Sequence, residues 1–243
     1  MIAIFIKELN SFLSSLIGYI VIAVFLLING LFLWVFPLEF NILDFGYAGL
    51  DSLFVLAPFV FLFLIPAISM RSFSEEKRTG TIELLMTKPL TELQIITGKY
   101  LATIVLLLFT LIPTFFYYYT VHTLGFPAGN LDSGGIWGSY IGLLFLGSAF
   151  SAIGLFVSSL TNSQIVAFII SVFLCGFCYF GFDFIYEFRF FGSFDLFIKS
   201  LGINEHYVSM SRGVIDTRDI LYFLSFILIF LLLTKISLER RKW

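Results

Sequence analysis

Apolar positions along this chain follow two patterns. In residues 1–16, Ile2, Phe5, Ile6, Leu9, Phe12, Leu13 and Leu16 recur at steps of three and one, which marks one face of a helix; Lys7, Glu8, Asn10, Ser11, Ser14 and Ser15 take the rest. That spacing predicts an amphipathic helix lying in a membrane surface. Beyond it the apolar runs become continuous. No charge separates Glu8 from Glu39, and about 20 residues of helix cross the hydrocarbon, so 17–36 reads as a first span ended by Pro37. The second is 52–70, where Pro58 and Pro66 predict kinks. The third is 99–119, with Pro113 near its end. Residues 133–182 hold no charged side chain. As one helix they would be about 75 Å long at ~1.5 Å per residue, so the run must fold back. The polar stretch Ser158–Gln164 is the expected turn, between a fourth span at 136–157 and a fifth at 165–185. The sixth is 220–238, where Lys235 is long enough to snorkel.

Composition agrees with this reading. Of 243 residues, 59% are hydrophobic and 12% charged, with a mean hydropathy of +1.01, more apolar surface than a soluble domain can hide. The fold class expected is an all-α integral membrane protein with six transmembrane helices, one domain over 1–243. The distribution of charge sets its orientation. Ten of the fourteen basic residues fall in the N-terminus, the 71–99 connection and Lys235–Lys242. By the positive-inside rule that side is cytoplasmic, and both termini with it. The opposite loops at 37–51 and 121–135 carry no Lys or Arg, and Arg189, Lys199, Arg212 and Arg218 share a single loop. No cleavable leader is expected, since no basic stretch precedes an apolar core and a small-residue cleavage site. The chain is thus expected in a membrane, with lipid around it and no nucleic-acid partner.

Enzyme constellations are missing from the sequence. There is no H-E-x-x-H and no G-x-S-x-G. His122 and His206 have no evident ligand partners. Cys175 and Cys178 lie within an apolar run with no second pair, as packing residues would. No acid falls mid-span, which argues against proton or sodium coupling. Gly98-Lys99 lacks the earlier Gly and the following Ser or Thr of a phosphate-binding loop. The chain is expected to be no enzyme and to hold no cofactor or metal; any ATP and Mg would sit on a partner.

Two connections exceed a turn. In 186–218, residues such as Phe188, Phe190, Phe191, Phe194 and Phe197 are too apolar for a free loop, so the segment is expected to re-enter the outer leaflet as short helices. The 71–98 connection is charged and amphipathic. Gly80 is placed to end one short helix and Thr81 to cap the next. Spacing alone leaves two readings: a rigid projection gripped by a cytoplasmic motor, or a solvated loop held to lipid by its basic residues.

The pattern R-x-F-x-E-E-x-x-x-G-T-x-E-L-L-x-T-x-P, running from Arg71 to Pro89 and followed by Gly98-Lys99, resembles the cytoplasmic loop of ABC-2-type transporter permeases. The amphipathic start with Lys7-Glu8-Leu9, the six spans and the semi-apolar outer segment extend the likeness over essentially the whole chain. More narrowly, Glu205-His206-Tyr207, Arg212 through Asp219 and Tyr222-Phe223 resemble the gliding-motility-associated permease subunit (GldF type) of Bacteroidota.

The resemblance implies two six-span halves around a central pathway with ATPase subunits below. It makes 71–98 a cytoplasmic coupling loop whose 71–90 part provides the coupling helix for an ABC ATPase, with Arg71, Phe73, Glu75, Glu76, Arg78, Gly80, Thr81, Glu83, Leu84, Leu85 and Pro89 as the coupling residues and surface charge supplied by Arg71, Glu75, Glu76 and Arg78. Lys7 and Glu8 belong to the interfacial helix beside it. Segment 186–218 becomes an outer gate, with Glu205, His206, Arg212, Gly213 and Asp216. The gliding type further implies a second, non-identical permease subunit rather than a homodimer, and an export role. The competing readings are an ion-coupled carrier or channel, and a non-transporting scaffold for motility proteins.

Overall fold

A computed structural model of the chain describes residues 1–44, 46–87, 89–127, 129–189 and 192–240, without the side chains of Leu84, Met86 and Ser193. Phe190 and Phe191 of the expected re-entrant segment therefore lie outside the described residues, as does the Leu84 side chain of the expected coupling set. The described residues form helices and turns only.

The N-terminal helix α1 (Ile2–Ser14) meets the first span α2 (Leu16–Trp34) at Ser15, whose extended backbone turns the chain between them. Span two is α3 (Asp51–Ser69), and Met70 carries the helical path on into α4 (Arg71–Arg78). A short α5 (Thr81–Met86) follows. Span three is α6 (Glu92–Leu111), a turn of tighter helix at Ile112–Thr114 that accommodates Pro113, and α7 (Phe115–Leu124). Span four is α8 (Ser133–Leu160). Span five is α9 (Gln164–Gly176), a widened turn at Phe177–Gly181 and α10 (Phe182–Glu187). The outer segment contains α11 (Asp195–Lys199) and α12 (Ile203–Ser211), and span six is α13 (Thr217–Glu239). Six helical stretches are thus long and apolar enough to cross a membrane.

Most spans run further than their hydrocarbon-length apolar cores. The third covers Glu92–Leu124, where hydropathy alone marks 99–119. A capping box explains its early start: Gln94 N–H donates to Thr91 Oγ1 and Thr91 N–H to the Gln94 side chain. The turn expected at Ser158–Gln164 is shorter, because Ser158 and Ser159 are buried inside the last turn of α8.

Helix α8 is the axis of the bundle, 78% buried along its span, whereas α13 is 11% buried. Its Gly, Ser and Ala positions allow close helix approach. At Gly138 a Cβ would lie 2.4 Å from the carbonyl oxygen of Met210, so only glycine permits α12 to rest there. Cys175 and Cys178 are buried free thiols in the core, as packing residues.

One packing contact repairs the backbone. Pro58 has no N–H, so the carbonyl of Phe54 in α3 lacks its usual intrahelical donor. The buried Tyr207 hydroxyl of α12 donates to that carbonyl at 2.6 Å. Tyr207→Phe is expected to lower stability by about 1–2 kcal/mol, because it strands a buried acceptor. Thermal unfolding in detergent checks this, and an unchanged midpoint would remove the bond from the account.

Candidate functional site

The helical extension α4 is bolted to the end of α8. Ser158 Oγ accepts from the backbone N–H groups of Phe73 and Ser74 at 2.9 and 3.0 Å and donates to the Met70 carbonyl at 2.9 Å. A hydroxyl from another helix thus satisfies donors that would otherwise be orphaned at a helix start. Lys77 donates to the Ser159 carbonyl. Phe73 is fully buried with Ile4, Ile82, Ile95, Ile96, Leu155 and Leu238, a small core joining α1, α4, α5, α6, α8 and α13.

Beside that core sits a cluster of four charges. Lys99 Nζ lies 2.9 Å from Glu8 Oε1, 2.9 Å from Glu76 Oε1 and 2.7 Å from the Ser72 carbonyl oxygen. Those three acceptors match the three N–H donors of an ammonium. Its stem passes Phe73, with Nζ 5.2 Å from the ring centre. Lys99 is 1% exposed, a position that costs several kcal/mol for a cation unless it is paired and hydrogen-bonded. Lys7, 61% exposed at its side chain, covers the cluster from 3.3 Å to Glu76 and 3.6 Å to Glu8. Two cations and two carboxylates sum to zero. Burial alone would lower the Lys7 pKa, but the adjacent Glu76 and Glu8 carboxylates outweigh it and hold the value above the ordinary one. The contribution of that pair is complete below the ordinary lysine pKa and is lost only as pH rises through the elevated one, so Lys7 stays charged at neutral pH. A cavity of about 210 Å³ opens at this cluster, lined also by Ser11, Phe12, Arg71, Glu75, Thr79 and Thr81.

The expected coupling residues divide in two. Glu76 and Phe73 point inward: Glu76 is held by Lys99 and Lys7, and Phe73 is core. The Glu76 side chain is 13% exposed, which corrects the expectation that it supplies surface charge. Arg71 pairs with Glu75 one turn on, at 3.0 Å and half-buried. Leu85 packs against the small core. Arg78, Thr79, Gly80, Thr81, Glu83, Thr87 and Pro89 are exposed and form the tip. Gly80 (φ +72°) reverses the chain between α4 and α5, a left-handed conformation that glycine adopts without strain. Gly80 itself occupies the cap position of α5. The Thr81 hydroxyl does not cap but lies 3.0 Å from Thr79 Oγ1, a second correction.

At the opposite end, α12 and the start of α13 are joined through His206. Its Nδ1 is 2.7 Å from Asp219 Oδ1, its Nε2 is 2.9 Å from the Ser200 carbonyl oxygen, and its ring stacks on Tyr222 at 3.8 Å. Sequence reading left His206 without a partner; Asp219 is one, contributed from across a turn. Glu205 pairs with Lys199 at 2.7 Å. That hydrogen bond and the nearby carboxylates raise the Lys199 pKa, against a smaller opposing effect of burial. Asp216 accepts from Arg218 N–H to cap α13, Gly213 turns with φ +84°, and Arg212 is exposed.

Lys99, Asp219 and Tyr222 entered the sequence reading only as parts of family motifs and Ser158 only as part of an expected turn; none was named as a site residue. A signal existed for Lys99: a lysine opening an apolar span needs a buried partner. The preceding Gly98 is where α1 crosses α6, since a Cβ there would approach Ile4 to 3.2 Å.

Among the described residues no group of three His, Cys, Asp or Glu forms a metal site. The described residues thus form a polytopic helical bundle with a charged, internally braced handle. The sequence matches the ABC-2 family transporter proteins over residues 2–243, and the chain belongs to that family. It is a multi-pass membrane permease component with no catalytic site of its own, from a family that works with an ATPase subunit. No curated protein matches the chain.

Proposed function

We propose that this chain is the permease subunit of an ATP-driven exporter and that the exposed residues within Arg78–Thr87 dock on an ABC ATPase. The observation that carries the reading is the division of α4 and α5. One face is fixed to α1, α6 and α8 by buried contacts, and the other end exposes charges of both signs at Arg78 and Glu83. A displacement of the tip reaches α1 and α6 through Lys99, so α1 acts as the interfacial helix of the same lever. The tip-bearing side, with both termini, is the cytoplasmic face of the bacterial inner membrane, as the distribution of Lys and Arg supports. The outer segment with Glu205, His206, Arg212, Gly213 and Asp216 is the gate.

Arg78→Glu combined with Glu83→Arg is expected to cut copurification of the ATPase subunit more than tenfold while the chain still inserts and purifies as a monodisperse species. Undiminished copurification would remove the tip from the interface. Orientation has a separate test: a cysteine at Asp132 is expected to react with an impermeant label in intact cells and one at Glu83 to be protected, and the reverse pattern would invert the topology.

The ending from Glu205 to Phe223 supports a role in gliding motility, with a second, non-identical permease subunit as partner. Deletion of the gene in a gliding bacterium is expected to abolish surface spreading; normal spreading would end that assignment.

A further inference from the structure

Where α11, α12 and α13 meet, the His206 ring has an acceptor at each of its nitrogens. Nδ1 lies 2.7 Å from Asp219 Oδ1, and Nε2 lies 2.9 Å from the Ser200 carbonyl oxygen. A neutral imidazole has one N–H and one bare lone pair. Beside an ionised Asp219 it would press that lone pair against a carboxylate or a carbonyl oxygen. Both contacts are hydrogen bonds only when the pair carries one proton more, as an imidazolium beside a carboxylate or a neutral ring beside a carboxylic acid. We propose that this contact is a proton-operated clasp, which ties the α11–α12 corner to α13 while the proton is bound and loosens that corner as pH rises.

The surroundings favour the extra proton. The ring stacks on Tyr222 with centroids 3.8 Å apart and planes 19° off parallel, a position in which an aromatic face attracts a cation. Asp219 is 5% exposed, and its Oδ2 has no hydrogen-bond partner among the described residues, so the proton shared with His206 is what offsets this buried carboxyl group. The other charged groups nearby are engaged elsewhere or turned outward. Lys199 of α11 and Glu205 of α12 pair with each other at 2.7 Å. Asp183 of α10 accepts from Asn204 at 2.8 Å, and Asp195 of α11 is buried. Asp216 caps α13, and Arg218 is exposed.

The clasped state holds a proton that the loosened state lacks, so raising the pH favours loosening. On losing it, the ring keeps its N–H on Asp219, because a hydrogen bond to an ionised acceptor is roughly twice as strong as one to a neutral acceptor. The Ser200 carbonyl is then released. Helix α12 stays seated on α3 through Tyr207, so the part that moves is the corner with α11. The Tyr222 hydroxyl still donates to the Leu201 carbonyl at 2.7 Å, which limits the movement. The clasp acts on α11 whether or not the outer segment gates a pathway.

A distance tests it without reference to transport. Nitroxide labels on cysteines at the exposed positions Leu196 and Leu221 are measured by pulsed electron paramagnetic resonance in the purified full chain carrying Cys175→Ala and Cys178→Ala. The distribution is expected to be narrow at about pH 5 and broadened at about pH 9, on either side of the range in which histidine changes charge. His206→Gln is expected to abolish the response, and His122→Gln, at the other histidine, to preserve it. Asp219→Asn separates a proton clasp from a merely structural contact. Its amide can donate to Nδ1 of a neutral ring and turn its oxygen to the place of the unpartnered Oδ2, leaving Nε2–H for Ser200. That variant is expected to stay narrow at every pH. A wild-type distribution that ignores pH, a response that survives in His206→Gln, or an Asp219→Asn chain that broadens as the wild type does would each overturn the proposal.

Discussion

Replacing Lys99 with Met is expected to destabilise the chain by about 3–5 kcal/mol, the usual cost of removing one partner from a buried ion pair. Glu8 and Glu76 would be left facing each other with only the exposed Lys7 to compensate. Like charges on α1 and α4 would then separate the two helices at the contact that joins them to α6. The variant is therefore expected to unfold at a lower temperature in detergent, and its complex is expected to lose ATPase stimulation more than ATPase binding, because the tip itself is untouched. Adding Glu8→Gln and Glu76→Gln removes the uncompensated charge and is expected to recover most of the stability, since a buried ion pair contributes little net free energy over a neutral replacement. Thermal unfolding of the single and triple variants separates these outcomes. A single variant as stable as the wild type would mean that the cluster braces nothing.

Gly138→Leu is the second large effect. A Cβ at this position already falls 2.4 Å from the Met210 carbonyl, and backbone cannot give way as a flexible side chain would. Overpacking at such a contact costs about 1–3 kcal/mol. The strain would be relieved by lifting α12 off α8. That movement also breaks the Tyr207 bond to Phe54 and pulls on the His206 contact to Asp219, so the loss is expected at the upper end of the range. Cysteines placed on α12 are expected to become reactive to an impermeant label in the variant. The six spans should insert as before, because Leu at position 138 keeps the fourth apolar run apolar. Unaltered reactivity together with unaltered stability would show that the approach of α12 to α8 is not close.

The spans were legible because continuous apolar runs are a strong and local signal. Their ends were not. Thr91 with Gln94 starts α6 well before hydropathy rises, and the tight turn after Leu111 lets helix continue past Pro113. Ser158 and Ser159 read as a turn because they are polar. Inside the bundle their groups are consumed: Ser158 caps α4, Ser159 Oγ donates to the Phe156 carbonyl, and the Ser159 carbonyl receives Lys77. The loop motif from Arg71 to Pro89 did not separate Glu76 from Glu83. That separation depends on which face of α4 meets α1 and α6, a relation between residues 69 and 91 positions apart in the chain. The same distance hid Asp219 from His206 less severely, since only a turn lies between their helices.

Lys7 and Glu8 illustrate the point in the other direction. Amphipathic spacing placed them on the polar side of α1, where solvent would be the ordinary expectation. The structure uses that side for contact, with Glu8 turned onto Lys99 and Lys7 left as the exposed cover.

The central claim is that the tip between α4 and α5 is the surface an ATPase grips. A short cysteine-directed cross-linker placed at Glu83 tests it most directly. The expected result is covalent capture of the ATPase subunit from position 83 and none from position 132. Capture from position 132, or none from position 83 in an intact and hydrolysing complex, would contradict it.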